Sequence, residues 1–236
     1  MNIIVTGASR GIGKELVKKF SQSGHTIIAV SRREKELIEL SESCKSTGND
    51  GKIIPFPFDL SKLAENMEEF KTEIHRHFKH LNIIINNAGY LANSSFENSG
   101  IEIIHKSFSV NYVAALLITQ SMLPLLKKSQ LAHIVNIGSM GGVQGSLKFS
   151  GLSVYSSSKA ALAVLTECLA EEYKDTGISF NYLAMGAVQT EMLAEAFPGY
   201  QAPVSADEMA DFICDFALNG NKLFNGKIIP VSLSTP

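Results

Sequence analysis

Cysteine is scarce, with 3 in 236 residues, at Cys44, Cys168 and Cys214. The odd number, the wide spacing and the lack of any C-x-x-C pair exclude a disulfide scaffold and point to free thiols in a reducing compartment. An excess of either charge is lacking too. Lysine and arginine total 21 against 23 acidic residues, a net charge of -2, which leaves no electrostatic case for nucleic acid or an anionic membrane surface. The opening "MNIIVTGAS" has no basic stretch followed by a long apolar one, as a signal peptide would. No apolar run reaches the roughly eighteen residues of a membrane span, so a cytoplasmic protein is expected. Linkers, internal repeats and low-complexity blocks are missing as well, which makes residues 1–236 a single domain. No metal site is expected either. His75, His77 and His80 cluster in "HRHFKH", but 75 and 77 fall on different helix faces and no carboxylate completes a ligand set.

What the chain does contain is alternation. "NIIVTG" reads as a buried strand, and "IGKELVKKFSQSG" as a helix with Ile12, Leu16 and Phe20 on one face and Gly24 as its stop. "HTIIAVS" and "REKELIELSESC" repeat the pair. "KIIPFPF" is a third strand that Pro55 and Pro57 push to a sheet edge. A helix over 63–78 follows, then the strand "NIIINNAG", a long helix from about Glu102 to Lys128 with Pro124 in its last turns, and the strand "HIVNIGS". The helix "YSSSKAALAVLTECLAEEY", the strand "ISFNYLA", a helix opened by Ser205 with Glu208 three residues on, and the strand "GKIIPV" complete the chain. Strands alternating with helices throughout predict an α/β fold, a doubly wound parallel sheet with helices on both faces.

The stretch "TGASRGIG", residues 6 to 13, joins the first strand to the first helix. A glycine-rich turn of this kind aims backbone N–H groups and the positive end of a helix dipole at one spot, which suits a phosphate. Its G-x-x-x-G-x-G spacing differs from the common dinucleotide fingerprint, and on its own it fits a nucleotide site or a plain turn. Further candidates stand at the ends of later elements. Asp59 and Leu60 follow the third strand, "NNAG" (86–89) ends the fourth, Asn111 interrupts an apolar helix, Ser139 ends the fifth, and "YSSSK" sets Tyr155 four residues before Lys159.

In these motifs and in their order, the chain resembles the short-chain dehydrogenase/reductase family over nearly its whole length. The resemblance implies a Rossmann-type fold and hydride transfer between a nicotinamide cofactor and a carbonyl or alcohol substrate. It assigns Tyr155 as general acid/base, Lys159 as the group that tunes it and holds the nicotinamide ribose, Ser139 as oxyanion donor, and Asn111 as support for the local helix and a water relay. Tyr155 and Lys159 lie at i,i+4 on one helix face, and a nearby ammonium is expected to lower the phenol's pKa. In the glycine loop, Gly7, Ser9, Arg10, Gly11, Ile12 and Gly13 are the implied cofactor contacts. Asp59, Leu60, Asn87, Ala88 and Gly89 are implied at the adenine and along the next strand end. Gly186, Val188 and Thr190, after the sixth strand, match the positions near the nicotinamide amide. At the end of the second strand, where NAD-preferring folds carry an acid, this chain has Ser31 followed by Arg32 and Arg33. Arginine offers a forked, phosphate-matching donor set, so NADP(H) is the expected cofactor.

Three departures from the family stand out. Ser139 and Tyr155 are 16 positions apart, longer than usual, so an insertion in "MGGVQGSLKFSG" borders the pocket. Met185 replaces the usual proline before Gly186. The usual glycine-pair ending is absent, leaving open whether the homodimer or homotetramer implied by the resemblance forms. A substrate loop over about 191–204 is apolar and carries no lysine or arginine, which favours a small uncharged carbonyl compound. Reduction of 3-oxoacyl-[acyl-carrier-protein], and a non-catalytic NADP(H) sensor or scaffold, are the alternative readings.

Overall fold

The computed structural model describes residues 1–45 and 51–233. Strands β1 (Asn2–Thr6), β2 (Thr26–Ser31) and β3 (Lys52–Pro57) alternate with helices α1 (Gly11–Gln22), α2 (Glu34–Lys45) and α3 (Met67–His77). The second half adds β4 (Ile83–Asn86), α4 (Ile101–Phe108), α5 (Ala114–Leu126), β5 (Ala132–Ile137), α6 (Ser153–Glu172) and β6 (Ile178–Met185). After these come β7 (Val188–Gln189), α7 (Glu191–Ala196), β8 (Val204–Ser205), α8 (Ala206–Asn219) and β9 (Lys227–Val231). Seven strands form one parallel sheet in the order β3-β2-β1-β4-β5-β6-β9.

Alternate residues of each strand face opposite layers. Ile3 and Val5 meet Leu16 and Phe20 of α1, Leu37 of α2 and Ile213 of α8. Ile4 and Ile84 meet Phe70 and Ile74 of α3 and Ile118 and Met122 of α5. Both faces are thus covered, as the alternation predicts. β3 takes an edge, with Pro55 and Pro57 opposite Ala29 and Ser31, where a missing N–H is tolerated. The strand order reverses between β1 and β4, and at such a switch point the carboxyl ends of parallel strands open a crevice for ligands.

Local departures from the sequence reading have local causes. α3 begins at Met67 rather than at 63. Asp59 caps a short 3₁₀ turn (Leu60–Lys62), accepting from the Ser61 N–H at 3.0 Å, and Leu63 is buried in the turn that follows. The long helix is one run, Ile101–Leu126, interrupted by a π-helical turn at Ser109–Val113. By length and composition this 26-residue run is apolar enough to cross a membrane, which corrects the expectation that no segment is. Its interruptions include the charged Glu102 and Lys106 near its start and the uncharged polar Ser109, Asn111 and Thr119 further along. Of its most apolar window 44% is buried inside the protein. The capping box at Ser205 and Glu208 forms as expected. The strands β7 and β8, two residues each and paired Val188 to Val204 and Gln189 to Ser205, carry too short a signal to read in advance. They clamp the base of the 191–204 segment, within which α7 forms.

Candidate active site

The crevice is a cavity of about 520 Å³ at the carboxyl ends of the strands. Its floor is fixed by one threonine and one asparagine. Thr6 Oγ1 accepts the N–H groups of Asn87 and Ala88, each at 3.0 Å, and Asn87 Nδ2 donates to the carbonyls of Thr6 (2.9 Å) and Gly7 (3.3 Å). These bonds tie the exit of β1 to the exit of β4. The fit leaves no space for side chains. Gly7 has φ +68, and a Cβ there would sit 2.9 Å from Ala88 Cα. At Gly13 a Cβ would sit 2.2 Å from the Gly7 carbonyl oxygen, so Gly13 packs helix against loop and does not line the cavity. Gly7, Ser9, Arg10, Gly11 and Ile12 do line it. The first turn of α1 has N–H groups without intrahelical acceptors, so a glycine-backed cradle faces the cavity, and it suits a diphosphate.

One end of the cavity is built by Ser31, whose hydroxyl donates to Ser9 Oγ at 2.7 Å, with Arg32, Arg33, Asp59 and Leu60 around it. Asp59 also caps its own turn, so its carboxylate is already engaged by Ser61. Arg10 lies in the wall, but its guanidinium fork is engaged by Glu195 of α7, the second contact at 3.2 Å. The cofactor contact expected of Arg10 therefore requires that fork to change partner. Arg33 pairs with its helix neighbour Glu36, at 3.7 Å.

At the other end Ser139, Tyr155 and Lys159 converge. Ser139 caps a 3₁₀ turn, its hydroxyl accepting from the Gly141 N–H at 3.2 Å. Burial pushes the Tyr155 phenol up to about 12, against the opposing pull of the neighbouring Ser139 hydroxyl. The expected lowering by Lys159 does not occur. The Lys159 ammonium lies 5.9 Å from the Tyr155 ring centroid and donates to the Ile137 carbonyl at 2.8 Å. Only 3% of Lys159 is exposed, and burial brings its own pKa down to about 8. Desolvation is thus the leading cause for both groups, opposed only at Tyr155, by the Ser139 hydroxyl.

Asn111 does not line the cavity. It sits in the π-helical turn, where its Oδ1 accepts the Tyr90 N–H at 2.7 Å and its Nδ2 donates to the Tyr90 carbonyl and Ser158 Oγ, each at 2.9 Å. Ser158 in turn donates to the Tyr155 carbonyl at 2.7 Å. Asn111 therefore holds Tyr90 and the Tyr155 helix on one frame. Gly89, Gly186, Val188 and Thr190 line the cavity, as do Asn87 and Ala88. Gly186 is constrained from behind, since a Cβ there would sit 2.1 Å from Ser232 Oγ in the segment after β9. The last residues of that tail lie outside the described residues.

Three contributors escaped the sequence reading. Tyr182 of β6 accepts the Ser139 N–H at 2.9 Å, and a lone tyrosine beside Asn181 in an apolar strand was its only signal. Lys106 of α4 lines the cavity with its ammonium 4.5 Å from the Tyr90 ring centroid. The long segment before Tyr155 folds around Lys148, which donates to the Gly141 carbonyl (2.9 Å) and Ser146 Oγ (2.8 Å) and so presents Phe149 to the cavity.

The family model for short chain dehydrogenases matches residues 1–201. The chain belongs to the short-chain dehydrogenase family of oxidoreductases. Among its relatives, an uncharacterized oxidoreductase of Staphylococcus epidermidis is 29% identical over 89% of this chain and 87% of its own length. The ketoacyl reductase HetN of a Nostoc species is 31% identical over 86% of this chain and 71% of its own. Of solved structures, a short chain dehydrogenase from Pseudomonas syringae superposes with a TM-score of 0.89 at 26% identity, covering 97% of this chain and 93% of that one. Another, from Escherichia coli and in complex with NADPH, gives 0.87 at 26% identity over 97% and 95%.

Proposed function

We propose that the chain is an NADP(H)-dependent reductase of carbonyl compounds, able to run in reverse as an alcohol dehydrogenase, with Tyr155 as its general acid/base. The observation that carries this reading is the convergence of Ser139, Tyr155 and Lys159 at one end of a cavity whose other end is the glycine cradle. NADP(H) rather than NAD(H) is supported by Ser31, Arg32 and Arg33 at the end of β2, where no carboxylate stands, and by the NADPH complex of the Escherichia coli relative. Gly7, Gly11 and Ile12 would hold the diphosphate, Arg32 and Arg33 the adenosine phosphate, and Gly186, Val188 and Thr190 the nicotinamide end. When bound, the reduced cofactor supplies the hydride.

The chain's own residues manage the oxygen. A carbonyl oxygen between the Ser139 and Tyr155 hydroxyls receives two donors, the oxyanion-hole arrangement. With its pKa pushed up to about 12, Tyr155 is a protonated phenol at neutral pH, the form that donates to a developing alkoxide. Lys159, near 8, stays mainly charged at pH 7 and stabilises the phenolate left behind. Asn111 and Ser158 keep the tyrosine's helix turn in place. A 3-oxoacyl thioester is a second substrate reading, favoured by the match to the Nostoc ketoacyl reductase.

The test is NADPH oxidation with a panel of ketones, diketones, aldehydes and a 3-oxoacyl thioester, run beside Tyr155→Phe. Turnover is expected with at least one substrate, and it should fall by a factor of about 10²–10⁴ in the variant while calorimetric NADPH affinity is kept. Undiminished turnover in Tyr155→Phe would remove the tyrosine from the mechanism.

A further inference from the structure

Much of the cavity lining is apolar and aromatic, formed by residues such as Tyr90, Phe149, Leu152, Phe197 and Tyr200. One cation interrupts it. Lys159 is buried and bonded to Ile137, and Arg10, Arg32 and Arg33 belong to the adenosine end. Lys106 alone among the described cavity residues brings a free-standing positive charge to the substrate end. Among the described residues no carboxylate pairs with it, although Glu102 stands one turn earlier on the same helix.

Its placement is not casual. The ammonium rests over the Tyr90 ring at 4.5 Å, and Asn111 clamps both backbone groups of Tyr90, at 2.7 and 2.9 Å. The same asparagine reaches the Tyr155 backbone through Ser158. The cation and the acid therefore share one frame, at different places along one cavity. A cation–π contact at an exposed site is weaker than a charge-assisted hydrogen bond to an oxyanion. Lys106 is thus held in place yet open to a better partner.

We propose that Lys106 recognises an anionic terminus of the substrate, so that the preferred substrate has an apolar body with a carbonyl toward Tyr155 and an oxyanion, carboxylate or phosphate, at its far end. This rests on the reductase reading above. It also revises the expectation of an uncharged substrate, which considered only the 191–204 loop, whereas the cation comes from α4.

The experiment compares a length series of oxo carboxylates, their methyl esters and matched oxo phosphates in wild type, Lys106→Met and Lys106→Arg. Wild type should prefer the charged substrates over the esters by roughly tenfold in kcat/KM, as for one hydrogen bond to a charged group. The preference should disappear in Lys106→Met through KM and return in Lys106→Arg. Comparing carboxylate with phosphate identifies which oxyanion the site takes. Equal use of acid and ester by wild type, or an equal loss of both in Lys106→Met, overturns the proposal. If no oxo compound turns over at all, the reductase reading is what has failed. Calorimetry with phenylacetate and phenylacetamide then decides the role of Lys106 by itself. Carboxylate binding lost in Lys106→Met supports the proposal, and binding indifferent to charge or to the substitution rejects it.

Discussion

Two buried ionisable centres lie at opposite ends of the same sheet. At the start of β5, His133 is 2% exposed; its Nδ1 donates to the Ala217 carbonyl at 3.0 Å and its Nε2 accepts from Asn181 Nδ2 at 2.9 Å. Asn181 is itself locked by the Phe224 carbonyl and the Lys227 N–H. Past the end of the same strand, Lys159 bonds to Ile137, and Tyr155 stands beside Ser139. Desolvation perturbs all three groups, bringing His133 down to about 4, Lys159 down to about 8 and Tyr155 up to about 12. Perturbation alone therefore does not mark a catalytic group. His133 has both nitrogens used by neutral partners, whereas Tyr155 and Lys159 keep proton-bearing atoms facing a cavity.

The largest expected effect separates chemistry from stability at the second centre. Lys159→Met should lower kcat by roughly a hundredfold or more, yet leave the fold at least as stable at pH 7. Wild type holds a charged ammonium in a site that disfavours the charge, and an isosteric apolar side chain removes that penalty. Urea midpoints and steady-state rates measured on the same preparation check both halves. A variant that is inactive and also strongly destabilised would make Lys159 a structural residue like His133.

The next effect belongs to His133 and comes only with acid. Its folded pKa near 4 lies below the unfolded value of about 6.5, so between those values the unfolded chain binds more protons and stability rises with pH. The contribution is complete above about 6.5 and is lost as pH falls toward 4, amounting to about 3 kcal/mol. Protonation would point an N–H at the Asn181 amide, which cannot turn without giving up Phe224 and Lys227. Unfolding free energies measured across this window should flatten in His133→Gln. An unchanged slope would show that His133 does not titrate there.

Much of this layout was legible in the sequence because a parallel sheet gathers the ends of its strands. Gly7, Asn87, Ser139 and Gly186 all follow strands, so reading strand ends was enough to bring them to one crevice. What stayed hidden depends on contacts between elements distant in sequence. Arg10 meets Glu195 across 185 positions and Ser139 meets Tyr182 across 43, and neither pairing leaves a periodic trace. The direction of the Tyr155 shift was misread for a related reason. The i,i+4 spacing reveals the lysine, but burial, which decides the sign, emerges only when α6 packs on the sheet. The π-helical turn at Asn111 is likewise invisible to apolar patterning, since α- and π-helical turns bury similar residues.

A third expected effect comes from the glycine that joins β5 to the Ser139 turn. A Cβ at Gly138 would sit 1.8 Å from Tyr182 Cζ, and that ring is fully buried. Gly138→Ala should therefore destabilise the fold by about 1–3 kcal/mol through overpacking and lower kcat as Ser139 shifts. Thermal unfolding that matches wild type would mean that the ring can move aside, and that Ser139 is held less firmly than its contacts imply.

The smallest effect sharpens the comparison most, because it concerns two tyrosines beside the same serine. Burial raises the pKa of both Tyr155 and Tyr182. Tyr182 spends its hydroxyl on the Ser139 backbone, accepting the N–H at 2.9 Å and donating to the carbonyl at 3.3 Å. It is a positioning residue. Tyr182→Phe should cost about 1 kcal/mol of stability, the usual net worth of one hydrogen bond, and lower kcat by about tenfold or less with KM nearly unchanged. The pH profile should keep its wild-type shape, since the group that titrates is elsewhere. Tyr155→Phe reverses the pattern, with activity lost and stability kept. If Tyr182→Phe instead moved the pH profile, the proton path would have to include the strand tyrosine, and the division between a fixed frame and a working phenol would fail.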